Sequence, residues 1–366
     1  MAEALAREVD YETKLDTARR WTREWRFRIG VHHLRGLIDA PRAGAQYTDL
    51  ARAVLAVLWP LVTDQFAIRY GPPPGRGGVV LGMGSLGAGR LNAMSDLDII
   101  VIYDPAGVEA SEGPRPLAAR VYYARLTQAM ITAMTSPMSQ GKLYEVDMRL
   151  RPSGNQGPVA TSLGAFQSYQ RDQAWTWEHL ALTRAAVIAG PEDLAADVEM
   201  FRTELLAEKG TLAAVAHEVA QMRARINAAK APDSLWDAKI GPGRMQEIEL
   251  MAQAGALLQG VPDRDVAAGL AAAVDAGLLD AAGAKQLSET YELCWRLQVA
   301  ARLLSAQTLR LEALGQAGRA YLQRALGVKS LERGAELLQD QYDAADAVIG
   351  TTLNRHSAGQ SGRDAG

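Results

Sequence analysis

Residues 82–104 read "GMGSLGAGRLNAMSDLDIIVIYD", a glycine-rich turn followed by two aspartates at the mouth of an apolar run. The run "LDIIVIYD" reads as a strand, and a strand sends successive side chains to opposite faces. Asp96 and Asp98 are two residues apart, so they project from the same face. Two carboxylates held there call for a positive charge opposite them.

A later segment, "KLYEVDMRLRP", alternates in the same way. Tyr144, Val146, Met148 and Leu150 face one side; Glu145, Asp147, Arg149 and Arg151 face the other. Paired beside "SDLDIIVIYD", this strand would add Asp147 as a third carboxylate. Three converging carboxylates repel strongly unless a cation neutralises them. Hard oxygen ligands favour Mg²⁺ or Mn²⁺, and Mg²⁺ is usually held by a few carboxylates together with nucleotide phosphates.

The glycines supply the other half of such a site. "GMGSLGAG" follows one strand and precedes a short helical stretch, allowing close backbone approach and leaving N–H groups free to face a phosphate. A dinucleotide-binding fold would need an acidic residue at the end of a second strand about twenty residues on within a βαβ unit, and none is there. A P-loop would need G-K-S or G-K-T, also missing. A Gly-Ser turn, D-x-D on the next strand and a third Asp on a later one form the layout of a metal-dependent nucleotidyltransferase, which grips a triphosphate and aligns an incoming hydroxyl in line.

The 366 residues suffice for two or three domains, and 48% apolar content supplies their cores. A net charge of −3, from 39 basic and 42 acidic residues, disfavours a nucleic-acid-coating surface. One cysteine, Cys294, cannot form an internal disulfide. The amino terminus "MAEALAREVDYETK" lacks an apolar signal core, and no run approaches the length of a membrane span. The cytoplasm is the expected compartment, with no membrane partner.

Residues 11–70 read as helix, with Ala18, Trp21, Trp25 and Ile29 at helical steps and a break at "APRAGAQ"; "GPPPGRGG" ends the region. Strands "VVLGMG", "LDIIVIYD" and "KLYEVDMRLRP" follow, with a helix over about 117–135 carrying Ala119, Tyr123, Leu126, Met130 and Ala133 on one side. From about 163 onward nearly everything reads as helix until "HSAGQSGRDAG", which has a disordered composition. The expected organisation is an N-terminal helical segment over 1–72, a nucleotidyltransferase domain over 73–190, a C-terminal helical bundle over 191–355 and a tail over 356–366.

In order and spacing, the stretches "GMGSLGAGRLNAMSDLDIIVIYD", "YEVDMRLRPSGNQGPVATSLGAFQSYQ", "AWTWEHLALTRAAVIAG" and "WDAKIGPGRMQEIELMAQ" resemble the glutamine synthetase adenylyltransferase family, a likeness running from about residue 15 to residue 350. The resemblance implies an α+β nucleotidyltransferase fold, a polymerase-β-like small mixed sheet flanked by an N-terminal helical segment and a C-terminal helical bundle. It implies AMP transfer from ATP, with Mg²⁺ or Mn²⁺, to a tyrosine of glutamine synthetase, and makes the PII signal protein a further candidate partner. Asp96, Asp98 and Asp147 match the catalytic, metal-binding carboxylates, and Gly84 and Ser85 match the phosphate-facing turn. Arg149, Arg151 and Lys239 are the nucleotide-side candidates. For the two arginines, pairing with a surface carboxylate is the competing reading; for Lys239, Glu247 and Glu249, a structural ion pair. Trp175, Trp177 and His179 are expected to pack a helix against the catalytic block.

Two departures from the family pattern stand out. The turn commonly reads G-K-L-G-G, where Ser85 and Ala88 stand here; further on, Arg244 replaces a glycine and Leu250 a phenylalanine. Family members carry an adenylyl-removing half and an adenylyl-adding half, whereas "SDLD" and "VDMRLRP" each occur once in this sequence. "RPSGNQGPVATS" with "AWTWEH" resembles the carboxy-terminal, adding half. The expectation is therefore a fragment or separately made unit that adds AMP without usefully removing it. Alternatives are a transferase with another acceptor, such as the PII uridylyltransferase or an RNA-end enzyme, and a catalytically silent regulator that docks on glutamine synthetase.

Overall fold

Aspartates start four of the helices. Asp10, Asp39, Asp265 and Asp280 each accept backbone N–H bonds from the first turn of Tyr11–Leu34, Ala40–Tyr70, Val266–Asp275 and Ala281–Leu304, each cap being worth about 1 kcal/mol. The computed structural model describes residues 1–208, 210–229 and 231–357. The break expected at "APRAGAQ" falls earlier, over 35–39, where Gly36 takes φ +71°. "APRAGAQ" instead opens the second long helix, because Pro41 in the first turn lacks only an N–H that would have no intrahelical partner anyway.

Ala40–Tyr70 is also, among the described residues, one helix long and apolar enough to cross a membrane, with mean hydropathy 1.3 in its most apolar window. This corrects the expectation that no run reaches that length. Part of the apolar surface of this helix is protein core: Val54, Leu55 and Leu58 are fully buried, and the Trp59 indole donates to the Gly78 carbonyl at 2.9 Å, while Ile68 is 71% exposed.

Five strands among the described residues form one mixed sheet: β1 (Gly77–Gly82), β2 (Leu97–Asp104), β3 (Val146–Asp147), β4 (Ala160–Ser162) and β5 (Ala186–Ala189). β1 lies antiparallel between β2 and β5, while β3 and β4 pair parallel with successive parts of the free edge of β2. Ile99, Ile100, Val101 and Ile102 are all buried, as a central strand covered on both faces requires. The helix Ala119–Thr135 covers this region with Tyr123, whose ring stacks on Tyr103 at 4.2 Å and whose hydroxyl donates to the Pro74 carbonyl. The chain is thus predominantly helical around a small mixed sheet, as expected.

Several expectations are corrected. "KLYEVDMRLRP" is a strand only at Val146–Asp147, because the Arg149 backbone N–H turns back to donate to Asp147 Oδ1 at 2.8 Å. The region after 163, read as helix nearly throughout, also holds β5; a four-residue apolar run carries no period that separates strand from helix. Trp175 does not pack inward and is 67% exposed, whereas His179 is buried, its Nε2 2.9 Å from the Gln170 carbonyl. The last helix, Leu331–Ser357, extends into the expected tail, whose residues 358–366 lie outside the described residues.

Helices Met245–Gln259, Val266–Asp275, Ala281–Leu304, Gln316–Leu326 and Leu331–Ser357 form the C-terminal bundle. It joins the N-terminal helices directly: the Trp295 indole donates to the Ala40 carbonyl at 3.2 Å, and a Cβ at Gly44 would lie 2.5 Å from the Trp295 ring.

Candidate active site

The parallel pairing of β2 and β3 sets Asp98 directly opposite Asp147. Residues in register on neighbouring strands share a face, so the two carboxylates lie side by side. Asp96 sits in the turn just before β2 and is exposed, while Asp98 is half-buried. Their proximity shows in the Asp98 carboxyl, pushed up to about 6 first by burial and then by the charges of Asp147 and Asp96. Lys239 and Arg149 pull it the other way without cancelling the rise.

Asp147 is held low instead, chiefly because Arg149 donates to it. Arg149 Nε lies 2.7 Å and Nη2 2.5 Å from Asp147 Oδ2, and the Arg149 side chain remains 75% exposed. An arginine thus occupies the position of a counter-charge on one of the aspartates. Among the described residues, no three His, Cys, Asp or Glu side chains stand close enough to cage a metal ion. The aspartates meet in register and in field, but they are not a closed ligand set. Excess negative charge on a half-buried carboxylate with a second in register is nonetheless the donor set a hard divalent cation suits.

The glycine turn meets this pair from β1. Gly84 takes φ +51°, and a Cβ there would stand 2.9 Å from Asp98 Oδ2. Met83 N–H donates to the Asp98 carbonyl at 2.8 Å, tying the turn to the strand beside it. Gly84 and Ser85 open the four-residue helix that follows, and the structure brings Gly84 next to Asp98. Gly84→Ala is expected to destabilise the protein by about 1–2 kcal/mol, since a left-handed backbone disfavours a side chain, and to displace the Asp98 carboxylate. A denaturant midpoint matching wild type would rule this out.

The remaining candidates separate. Arg151 points into its own loop and donates to the carbonyls of Met148 (2.8 Å), Gly157 (3.2 Å) and Asn155 (3.2 Å). It therefore shapes the 148–157 segment that follows Asp147. Lys239 is exposed on a segment whose charge reaches Asp98. That segment is pinned by Arg244, which donates to the carbonyls of Ser234 and Asp237 and lies over the Tyr342 ring at 4.5 Å. Glu247 is buried and accepts from Arg223, Asn227 and the Gly243 N–H; Glu249 pairs with Arg184 at 2.7 Å. Both glutamates thus take the structural alternative. A cavity of about 780 Å³ lies between the helices and is lined by Tyr11, Arg19, Phe66 and Arg125 among others; neither the aspartates nor the glycine turn line it. The candidate residues Asp98 and Asp147 are carried by the strands β2 and β3, with Asp96 just before β2.

Two family models match the chain. One, described as glutamate-ammonia ligase adenylyltransferase, covers residues 1–200; the other, GlnD PII-uridylyltransferase, covers residues 213–354. Curated relatives carry the name bifunctional glutamine synthetase adenylyltransferase/adenylyl-removing enzyme. That of Mesorhizobium japonicum is 42% identical over 297 residues, 80% of this chain and 30% of the relative. That of Rhizobium meliloti is 45% identical over 249 residues, 68% of this chain and 25% of the relative. The Brucella suis protein is 38% identical over 345 residues, 93% of this chain and 35% of the relative. The chain thus spans roughly a quarter to a third of these relatives' length, with the aspartates, the glycine turn and the 148–157 loop all inside the first matched region. The chain belongs to the glutamate-ammonia ligase adenylyltransferase family.

Proposed function

We propose that this chain, with a polymerase-β-like catalytic core and acting in the cytoplasm, transfers AMP from ATP to a tyrosine hydroxyl of glutamine synthetase. The observation that carries the reading is the pairing of Asp98 with Asp147 on adjacent parallel strands, with Gly84 packed against Asp98. In the proposed step the tyrosine oxygen attacks the α-phosphorus, the bond to pyrophosphate breaks in line, and a carboxylate of the cluster takes the hydroxyl proton. No histidine is required, and His179 is committed to packing.

Asp98 and Asp147, with Asp96 beside them, would hold a divalent ion, Mg²⁺ or Mn²⁺, which when bound neutralises the triphosphate and the departing pyrophosphate. Gly84 and Ser85 let backbone approach the nucleotide. Arg149 and Lys239 add cationic side chains whose charge reaches Asp98.

A second reading, uridylyl transfer to a PII-type protein, is favoured by the match of residues 213–354 to the uridylyltransferase model. Mass spectrometry of glutamine synthetase and of PII, each incubated with the chain, Mg²⁺ and either ATP or UTP, separates the two. An AMP adduct on glutamine synthetase is expected; a UMP adduct on PII alone would replace the reading. A further arm uses AMP-modified glutamine synthetase with orthophosphate. The resemblance to the adding half predicts little release of ADP, and rapid release would refute that assignment.

A further inference from the structure

Arg90 closes the glycine turn and leaves it for the helical bundle. Its backbone N–H donates to the Ser85 carbonyl at 2.9 Å. Its guanidinium spans two helices: Nη1 lies 3.0 Å from Glu292 Oε1, and Nη2 lies 3.2 Å from Asp265 Oδ2, the residue that caps Val266–Asp275. Beneath it are the rings of Tyr291 at 5.2 Å and Trp295 at 5.9 Å, both buried. Its side chain is 20% exposed and rests on the two buried rings, whereas both carboxylates are 43% exposed, so the ring contacts are shielded from water better than the ion pairs.

Other contacts hold the same turn. A Cβ at Gly87 would stand 2.0 Å from the Arg184 carbonyl, so turn and Arg184 backbone are in direct contact. Arg52 donates to the Gly87 carbonyl at 3.3 Å, and the Leu91 N–H donates to Thr48 Oγ1 at 3.1 Å. Arg90 is the side chain of the turn itself that reaches the bundle through two charges and two rings.

We infer that Arg90 is a positioning residue: it fixes the glycine turn, and with it the seat of Gly84 against Asp98, to helices Val266–Asp275 and Ala281–Leu304. The geometry of a nucleotide site at the strand ends is thereby set by contacts in the bundle. The consequence for nucleotide affinity rests on the proposed function; the positioning itself does not.

The test has two arms. In the ligand-free protein, Arg90→Met keeps the apolar stem and removes the charge, and amide exchange over residues 84–89 is expected to accelerate about tenfold or more. Arg90→Lys should recover part of the protection. A control, Leu326→Ala, removes a buried side chain from the end of Gln316–Leu326, a helix that packs against Ala281–Leu304 but supplies none of the Arg90 partners named above, and should leave exchange at the turn unchanged. Glu292→Gln should act in the same direction as Arg90→Met and serves in its place if that variant does not fold. In the AMP-transfer assay, Arg90→Met should raise KM for ATP about tenfold while kcat stays within about twofold. Unchanged exchange at 84–89, or equal acceleration by Leu326→Ala, overturns the positioning role. Accelerated exchange with an unaltered KM overturns the link to affinity. A protein that transfers no nucleotide at all refutes the proposed function and leaves the exchange arm decisive for the positioning role.

Discussion

On the proposed function, Asp98→Asn is expected to yield a more stable protein that transfers AMP about 100-fold more slowly or worse, the scale set by losing several kcal/mol of charge stabilisation. The stability half follows from Asp98 itself, whose carboxyl is raised from an ordinary 3.8 to about 6 by burial, Asp147 and Asp96. An acid with a raised folded-state pKa binds its proton more tightly when folded, so the ionised form opposes folding. That penalty is fully present above about pH 6, shrinks as pH falls, and is gone below the unfolded value near 3.8. Discounted for partial exposure, it is on the order of 2 kcal/mol. Asparagine keeps the shape and removes the charge. The melting temperature of the variant should therefore exceed wild type at pH 7.5, and the difference should fade toward pH 4. Wild-type turnover at saturating Mg²⁺ would show that these carboxylates are not the catalytic centre. A lower melting temperature at pH 7.5 would show that Asp98 is stabilised rather than strained by its neighbours.

The contrast between β2 and β3 shows what sequence makes legible. "LDIIVIYD" is bounded by a turn at Asp96 and by Pro105, and its apolar run has the length of a covered strand; its limits at Leu97 and Asp104 match the reading. The alternation in "KLYEVDMRLRP" identified Asp147 correctly as a partner of Asp98 but overstated the strand. Asp147 bonds its own downstream backbone and Arg149 closes over it, and such local competition leaves no trace in an apolar/polar pattern. Arg151 stood as a nucleotide-side candidate, with a surface ion pair as the competing reading, because it alternates with Asp147. Once the strand ends, that phase is lost, and its guanidinium turns to loop carbonyls. β5 escaped for a different reason: "AVIA" sits among alanine-rich helices, and its strand character comes from pairing with β1 more than a hundred residues earlier. The Arg90 contacts to Asp265 and Glu292 lie 175 and 202 residues along the chain and could be found only in three dimensions.

The largest stability effect is expected at Glu249, the largely covered partner of the buried Arg184. Their side chains are 14% and 7% exposed, at 2.7 Å, and the Tyr291 hydroxyl donates to the other Glu249 oxygen at 3.2 Å. Burial alone would lower the affinity of Arg184 for its proton, yet Glu249 and Tyr291 outweigh burial and the net shift is upward. Glu249→Ala leaves that guanidinium buried without its counter-ion, with Nε already lacking a partner. Breaking a pair of this kind costs about 3–5 kcal/mol, so the denaturant midpoint should drop clearly. Replacing both partners, Arg184→Met with Glu249→Leu, removes the two charges together at similar volume and should recover most of the loss, because desolvation largely offsets the attraction between buried ions. A single variant within about 1 kcal/mol of wild type would mean that water reaches the pair and screens it. Because the Arg184 carbonyl abuts Gly87, the recovered double variant also separates two roles of the pair. If its stability returns while amide exchange over residues 84–89 stays fast, the charges hold the glycine turn in place; if both return together, packing alone is enough to do so.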